Sequence, residues 1–251
     1  MARSLRRLVL LLGVFALTTL TADAQRFYDN GRSAPSRREA KYDGQFSFVR
    51  LFYDRYPGWS FDWPDMEQNL TGILNGITGL KSTPNGTSIL HMDDPALLRF
   101  PVAYLSEPGS WFPSEAAATN LRLFIDKGGF LIVDDFHYDN EWNVFEAGMR
   151  RVLPDARIVP LALSHPIFHT FFEIETLHVP YPGNLGQRGL YGEFYGIHRD
   201  NDPEKALSVV INYNMDIGDY MEYSGSGFYL VDPSNEAFKF MVNYLIYGHT
   251  R

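Results

Sequence analysis

The stretch LRLFIDKGGFLIVDD, residues 121–135, decides the fold of this 251-residue chain. In its first part, Leu121, Phe124 and Ile125 have the i, i+3, i+4 spacing of an amphipathic helix. Its second part, Phe130–Val133, is a short continuous apolar run, which is typical of a strand buried on both faces of a sheet. A helix followed at once by such a strand is the repeating unit of a parallel α/β sheet.

The same alternation extends to both sides of this unit. The predicted strands are Phe46–Tyr53, Thr87–His91, Val102–Ser106, Phe130–Val133, Arg157–Leu161 and Leu207–Ile211. The predicted helices contain Leu70–Ile77, Leu121–Ile125, Trp142–Val152 and Phe238–Leu245. Strands that alternate with helices predict parallel crossovers and an open, doubly wound sheet, with Phe130–Val133 as its central strand.

Capping residues predict where three of the helices begin. Ser114 is expected to be the N-cap of the helix that precedes the central strand. Asp232 is expected to cap the last helix, with Pro233 at its first helical position. Pro166 is likewise expected to begin a helix, which makes His165 a capping residue rather than a metal ligand paired with a histidine four residues later.

The amino-terminal residues predict a signal peptide over residues 1–24. A positive n-region is followed by the apolar run Leu8–Leu20, and Ala22-Asp23-Ala24 forms an A-x-A motif that predicts cleavage before Gln25. An uncleaved anchor is the alternative. Residues 25–45 are expected to form a flexible leader and residues 46–251 a single α/β domain. We therefore expect export by the general secretion route to the periplasm or the medium, with no transmembrane segment after cleavage.

The net charge and the cysteine content argue against several classes of partner and cofactor. The formal net charge of −8 argues against nucleic acid as a partner, because an acidic chain repels the phosphate backbone. The sequence contains no cysteine, which fits export and excludes disulfides. The sequence contains neither a P-loop nor a G-x-G-x-x-G motif after a predicted strand, so a nucleotide cofactor is unsupported. The sequence specifies no other cofactor.

Polar residues follow the predicted strands at the sheet edge where such folds bind ligands. Asp134, Asp135 and His137 come directly after the central strand. Carboxylates beside an imidazole have the chemistry to bind a metal or to transfer protons, so Asp135 and His137 are the candidate catalytic residues. The alternative is that one aspartate caps the following turn and His137 faces solvent.

A second polar run, Asn212 to Asp219, follows the strand Leu207–Ile211. Its amides and carboxylates have the chemistry to bind sugar hydroxyls or a hard cation, although the same residue types are common in turns. The candidate ligand-binding residues are Arg50, Asp134, His165, Asn212, Asn214, Asp216 and Asp219.

The predicted topology brings distant candidates to one place. Because parallel strands end at the same edge of the sheet, Asp135, His137, His165 and Asp216 are expected to approach one another. Pro180–Gly192, which is rich in glycine and proline, is expected to form a surface loop near this site.

Four segments together resemble DUF4159, an uncharacterised bacterial family. They are FVRLFY (48–53), LRLFIDKGGFLIVDD (121–135), SHPIF (164–168) and NYNMDIGD (212–219), and the resemblance extends from Phe46 to Gly248. It implies a flavodoxin-like, class I glutamine amidotransferase-like fold, a three-layer sandwich with a mostly parallel sheet. It supplies no established activity.

Relatives that share this fold include glutaminases whose cysteine nucleophile follows the central strand. Asp135, Phe136 and His137 occupy that place here, and a chain without cysteine cannot use the thiol mechanism. Sugar-linked relatives, similar to the trehalose-utilisation proteins, make a carbohydrate ligand an expectation by analogy of fold.

Three functions follow as hypotheses. The first is a non-catalytic or accessory envelope domain that binds a small polar ligand, such as a glycan, at the strand ends. The second is a hydrolase that uses Asp135 and His137, with or without a divalent metal. The third is a scaffold with no small-molecule site. Shifted pKa values in a deep pocket would favour the second function, and a filled, shallow crevice would favour the third.

Overall fold

The computed structural model describes residues 46–54, 57–78 and 82–251. The predicted signal peptide (1–24) and leader (25–45) lie outside the described residues. The strands are β1 (Phe46–Phe52), β2 (Ser82–His91), β3 (Val102–Ser106), β4 (Phe130–Asp134), β5 (Val159–Pro160), β6 (Glu193–His198) and β7 (Leu207–Tyr213). The α-helices are α1 (Asp65–Thr78), α2 (Glu115–Asp126), α3 (Tyr138–Val152), α4 (Asn184–Gln187), α5 (Ile217–Glu222) and α6 (Val231–Thr250).

The seven strands form one mostly parallel sheet in the order β2-β1-β3-β4-β7-β6-β5. Strands β1, β2, β3, β4 and β7 run parallel, whereas β6 is antiparallel to β7 and β5 is antiparallel to β6. Strand β4 is fourth of seven, which confirms that Phe130–Val133 is the central strand.

Both faces of the sheet are covered by helices. Ile132 of β4 packs into one core, together with residues of α1, α5 and α6. Leu131 and Val133 point to the other face and pack with residues of α2 and α3. All five residues of β4 are buried, as expected for a central parallel strand. The result is an α/β fold with three layers: helices, sheet and helices.

Two of the three capping predictions are confirmed. The backbone N–H of Ala117 donates to Ser114 Oγ at 3.2 Å, so Ser114 caps α2. The backbone N–H of Ile167 donates to His165 Nδ1 at 3.2 Å, and His165 caps a short 3-10 helix at Pro166–His169.

Several element bounds differ from the prediction: β2 begins at Ser82 rather than Thr87, and β7 ends at Tyr213 rather than Ile211. Helix α6 begins at Val231 rather than after Asp232, and Pro233 lies in its first turn, where no intrahelical N–H bond is required of it. Strand β5 is only Val159–Pro160, shorter than the predicted Arg157–Leu161. The Pro180–Gly192 loop contains the one-turn helix α4.

The order of the strands indicates where a ligand site is expected. The chain passes from β1 outward to β2 and then returns to β3 on the other side of β1. Ligands in open α/β sheets bind beyond the carboxyl ends of the strands near such a switch point.

Among the described residues, no helix is both long and apolar enough to cross a membrane.

Candidate functional site

An acidic cluster lies at the carboxyl ends of the central strands. Five carboxyl groups form it: Asp62, Glu107, Asp135, Asp216 and Asp219. Asp62 and Asp216 are almost fully buried, whereas the other three are partly exposed. The cluster therefore has buried acids below and partly accessible acids toward solvent.

Asp135 stands at the turn that follows β4. Its φ of 62° is in the left-handed region, which aspartate tolerates better than most residues. Its backbone N–H donates to Met215 O at 3.1 Å, which joins this turn to the segment after β7. The hydroxyls of Ser106 and Tyr181 each lie 3.5 Å from one of its carboxylate oxygens.

Asp216 reaches the same edge from the end of β7. Its Oδ1 accepts the backbone N–H of Asp219 at 2.7 Å, so Asp216 caps helix α5. Asp219 Oδ2 accepts the hydroxyl of Tyr229 at 2.7 Å. The turn interpretation of this polar run is therefore correct for Asp216, and its carboxylate nevertheless belongs to the acidic cluster.

Burial and mutual repulsion raise the pKa values of these groups. Burial, then repulsion from Glu107, holds the pKa of Asp135 well above its usual range. Burial, then repulsion from Asp135, does the same to the pKa of Asp216. Burial, followed by Glu141, raises the pKa of Glu107 to about 7. The structure thus brings Asp135 and Asp216 together, as the topology predicted.

The raised pKa of Glu107 makes a prediction about pH. A carboxyl whose pKa is raised by folding binds its proton more tightly in the native state, so its contribution to stability is complete below its unfolded pKa of 4.5 and is lost as pH rises through about 7. The melting temperature of the wild type, minus that of Glu107→Gln, should therefore fall between about pH 4.5 and pH 7.5, by about 2–4 °C for each kcal/mol.

His165 and His198 act in the opposite direction, because burial lowers their pKa values. Both histidines are present in the wild type and in Glu107→Gln, so their contribution cancels when the two melting temperatures are subtracted. A flat difference across this pH range, measured by thermal melts, would contradict the placement of Glu107 in a partly buried acidic environment.

Asp134 supports the site from below rather than facing a ligand. Its side chain is fully buried, and Oδ1 accepts the side-chain amide of Asn212 at 3.0 Å. Oδ2 accepts the hydroxyl of Tyr104 and the backbone N–H groups of Ile217 and Gly218 at 2.9–3.0 Å. These bonds tie β4 to the start of α5, and they hold the ligand-binding candidate Asp134 inside the fold, beneath the acidic cluster.

Two further ligand-binding candidates, Asn212 and Arg50, are likewise enclosed within the fold. Asn212 is fully buried, its side-chain NH2 donates to Asp134 Oδ1, and its side-chain carbonyl accepts the hydroxyl of Tyr244. Arg50 is also fully buried, and its guanidinium is shared between Asp62 and Glu67. Neither side chain is accessible to a ligand.

Arg50 anchors the acidic cluster to the sheet. It donates two bonds to the carboxylate of Asp62, at 2.7 and 3.0 Å, and one to Glu67 Oε1 at 2.5 Å. Burial would lower its pKa, but the two carboxylates outweigh burial and raise the pKa, so Arg50 stays charged. Burial in turn raises the pKa of Glu67 to about 7, although Arg50 opposes this.

The two candidate histidines lie in different places. The ring centroid of His137 is 5.2 Å from that of Tyr181, which also contacts Asp135, so Tyr181 contacts both candidate catalytic residues. His165 Nε2 lies 3.4 Å from His198 Nε2, at the end of β6 that pairs with the start of β7. That end is the amino edge of the parallel strands, so the expected approach of His165 to the site is wrong.

The remaining candidate, Asn214, lies beside the acidic cluster rather than in it. Its Oδ1 accepts the backbone N–H of Tyr138 at 3.0 Å, and its Nδ2 donates to Glu193 Oε1 at 3.0 Å. Three site residues, Asp62, Glu107 and Tyr181, are not among the candidates named from the sequence. Tyr181 lies in the loop expected near the site, whereas Asp62 has no local sequence signal.

No metal site accompanies these groups in the part of the chain that the structure describes, where no three histidine, aspartate or glutamate side chains are arranged to hold an ion. A cavity of about 650 Å³ lies elsewhere, between Arg122, His198 and Asp200. It is at the amino edge of the parallel strands, away from the acidic cluster.

Most of the chain matches a known protein family. The family model described as "Domain of unknown function (DUF4159)" matches residues 47–248. No curated protein matches the chain. The match begins in β1 and ends in α6, so it includes every residue of the acidic cluster.

Proposed function

Because the chain belongs to DUF4159, a family defined without a function, we propose one from geometry: the acidic cluster binds a small, neutral, polyhydroxylated ligand such as a glycan. The observation that carries this proposal is the group of partly exposed carboxyls, Glu107, Asp135 and Asp219, whose pKa values are all raised. Carboxyl oxygens accept hydrogen bonds from sugar hydroxyls, and a carboxyl that holds its proton donates one as well. The surrounding negative charge disfavours anionic ligands.

Two tyrosines add to this proposal. The hydroxyls of Tyr181 and Tyr229 lie against Asp135 and Asp219, and burial raises the pKa of both phenols, so they remain neutral. Neutral phenols offer further hydroxyl partners and ring surface for a sugar. We also propose that the domain acts outside the cytoplasm, since residues 1–24 have the pattern of a signal peptide.

The order of the strands also supports a more specific fold than three layers of helices, sheet and helices. We propose that the sheet is flavodoxin-like and of the class I glutamine amidotransferase type. The order β2-β1-β3-β4-β7 supports this, because it is the doubly wound order 2-1-3-4-5 with an antiparallel pair added. Asp135 would then stand where the thiol-dependent relatives carry their nucleophile, with its left-handed φ at the turn after the central strand.

A hydrolase that uses Asp135 is the second candidate. The left-handed backbone and the raised pKa of Asp135 favour it, since both features concentrate at catalytic sites. In this reading Asp135 is a general acid, and His137 acts through Tyr181. A metal-assisted version lacks a ligand set among the described residues.

The Asp135→Asn variant tests the proposal. Protein recovered from the periplasm or the medium, with an intact mass expected for a chain that begins at Gln25, is screened by thermal shift against glucose, N-acetylglucosamine, maltose, Mg²⁺ and Zn²⁺. The sugar that binds should bind the variant at least about tenfold more weakly, because an amide offers one acceptor oxygen where the carboxylate offers two. The melting temperature should stay unchanged or rise, because repulsion among the acids is relieved.

Asp155→Asn is the matched control, because Asp155 is exposed and lies at the opposite edge of the sheet. Unchanged sugar binding in Asp135→Asn, combined with a large loss of stability, would identify Asp135 as a structural residue and end the proposal. Release of sugar from a p-nitrophenyl glycoside by the wild type, lost in Asp135→Asn, would favour the hydrolase instead.

A further inference from the structure

An aromatic groove of about 550 Å³ lies beside the acidic cluster, where β6, β7 and α3 meet. Four aromatic side chains form its walls: Tyr138, Trp142, Tyr195 and Tyr213. Its polar lining consists of Asp139, Glu193 and Asn214. Among the described residues that line it, none is basic.

The rings of this groove are set at steep angles to one another. The indole centroid of Trp142 is 5.0 Å from the ring of Tyr195, at an interplanar angle of 56°. It is 4.8 Å from the ring of Tyr213, at 61°. Tyr195 and Tyr213 are themselves 6.4 Å apart and tilted by 57°. The three rings therefore pack at an angle against one another, and they line the groove together with Tyr138 rather than as one flat stack.

The polar groups of the groove are largely bonded to one another. Glu193 Oε1 accepts the side-chain amide of Asn214 at 3.0 Å, and Oε2 accepts the hydroxyl of Tyr195 at 2.8 Å. The carbonyl oxygen of the Asn214 side chain accepts the backbone N–H of Tyr138. The hydroxyl of Tyr213 lies 3.5 Å from Asp139 Oδ1. The groove therefore offers negative charge and ring faces, with much of its hydrogen-bonding capacity already used.

We propose that this groove binds a quaternary or methylated ammonium group. Such a cation is recognised by ring faces and by nearby carboxylates, and it has few or no N–H groups to satisfy. A sugar needs directed hydrogen bonds, most of which are already made within the groove, and an anion is repelled by Asp139 and Glu193. The proposal stands apart from the glycan proposal, because it uses different side chains.

The test compares choline with 3,3-dimethyl-1-butanol, which has the same shape without the charge. Isothermal titration of the full chain should show saturable choline binding at least about tenfold tighter than binding of the neutral alcohol. Trp142→Ala should weaken choline binding by about tenfold or more, and Glu193→Gln by a smaller factor. Glu204→Gln, which removes an exposed carboxylate outside the groove, should leave it unchanged.

Equal binding of choline and the neutral alcohol would overturn the proposal, as would choline binding that Trp142→Ala and Glu193→Gln both leave intact. If Trp142→Ala does not fold, as judged by circular dichroism, Glu193→Gln alone decides, since Glu193 is exposed. Asp135→Asn should keep choline affinity, so a failure of the glycan proposal is distinguishable from a failure here.

Quaternary ammonium groups occur both as free small molecules and as lipid headgroups. Co-sedimentation with phosphatidylcholine vesicles, against phosphatidylglycerol vesicles, separates the two sources. Sedimentation with phosphatidylcholine that Glu193→Gln reduces assigns the headgroup. Choline binding in solution without sedimentation assigns a free ammonium ligand, and both results support the proposed chemistry.

Discussion

Replacement of Arg50 by methionine is expected to lower the free energy of unfolding by about 3–5 kcal/mol. Arg50 is fully buried and shares its charge with Asp62 and Glu67, which are also buried. Without the guanidinium, two carboxyl groups remain in an apolar environment with no counter-charge, and the bond from Nη1 to Trp59 O is lost as well. Urea unfolding at neutral pH measures the loss.

Two comparisons make the Arg50 prediction specific. Arg150→Ala removes an exposed arginine whose partner is Glu146, four residues earlier in α3, and should cost no more than about 0.5 kcal/mol. Adding Glu67→Gln to Arg50→Met should recover part of the loss, because it removes one of the uncompensated acids. A loss below about 1 kcal/mol in Arg50→Met would show that the ion pairs are not buried as described.

Asp134→Ala is the second variant with a large expected effect, a loss of at least about 3 kcal/mol. Four hydrogen-bond donors converge on the Asp134 carboxylate, and two of them are backbone N–H groups of Ile217 and Gly218. Alanine leaves these donors buried without an acceptor, at about 1–3 kcal/mol for each group that finds no water. The start of α5 would loosen, and Asp216 and Asp219 would move with it.

Asp134→Asn is the matched control. The side-chain carbonyl of the new asparagine can accept the three donors that now bind Oδ2. Its NH2 group can donate to Asn212 Oδ1 if the side-chain amide of Asn212 flips by about 180°. Tyr244 then accepts a bond where it now donates one, since a hydroxyl can do both. We expect this variant to lose less than about 1.5 kcal/mol. An asparagine variant as unstable as the alanine variant would show that the charge itself is required.

The central part of the sheet could be predicted because its strands are continuous apolar runs. Val102–Ser106 was predicted with the bounds that the structure has, and Phe130–Val133 within one residue, since both are buried on two faces. Strand β6 was missed. Glu193–His198 is antiparallel, alternates in burial at its start and follows a stretch rich in glycine and proline, so no apolar run marks it.

Site residues could be predicted where their position depends on the topology of the sheet. The prediction failed where it depended on which side chains are buried. Asp135 and Asp216 come together because they follow neighbouring parallel strands, β4 and β7. Arg50 could not be recognised as a structural residue, because its partners Asp62 and Glu67 come from outside the sheet and follow no local pattern. His165 was misplaced because the chain turns after β5: its backbone N–H bonds to Ala162 O, and its ring lies against His198 at the amino edge of the parallel strands.

The short strand β5 has a consequence for assembly. An exposed sheet edge is a template on which another chain can add a strand, and proline weakens that template because it has no N–H to donate. Here the edge beyond β6 ends in Val159–Pro160, two residues of which one is proline. This end of the sheet is thus a poor template for strand addition, and among the described strands β2, ten residues long, forms the other edge.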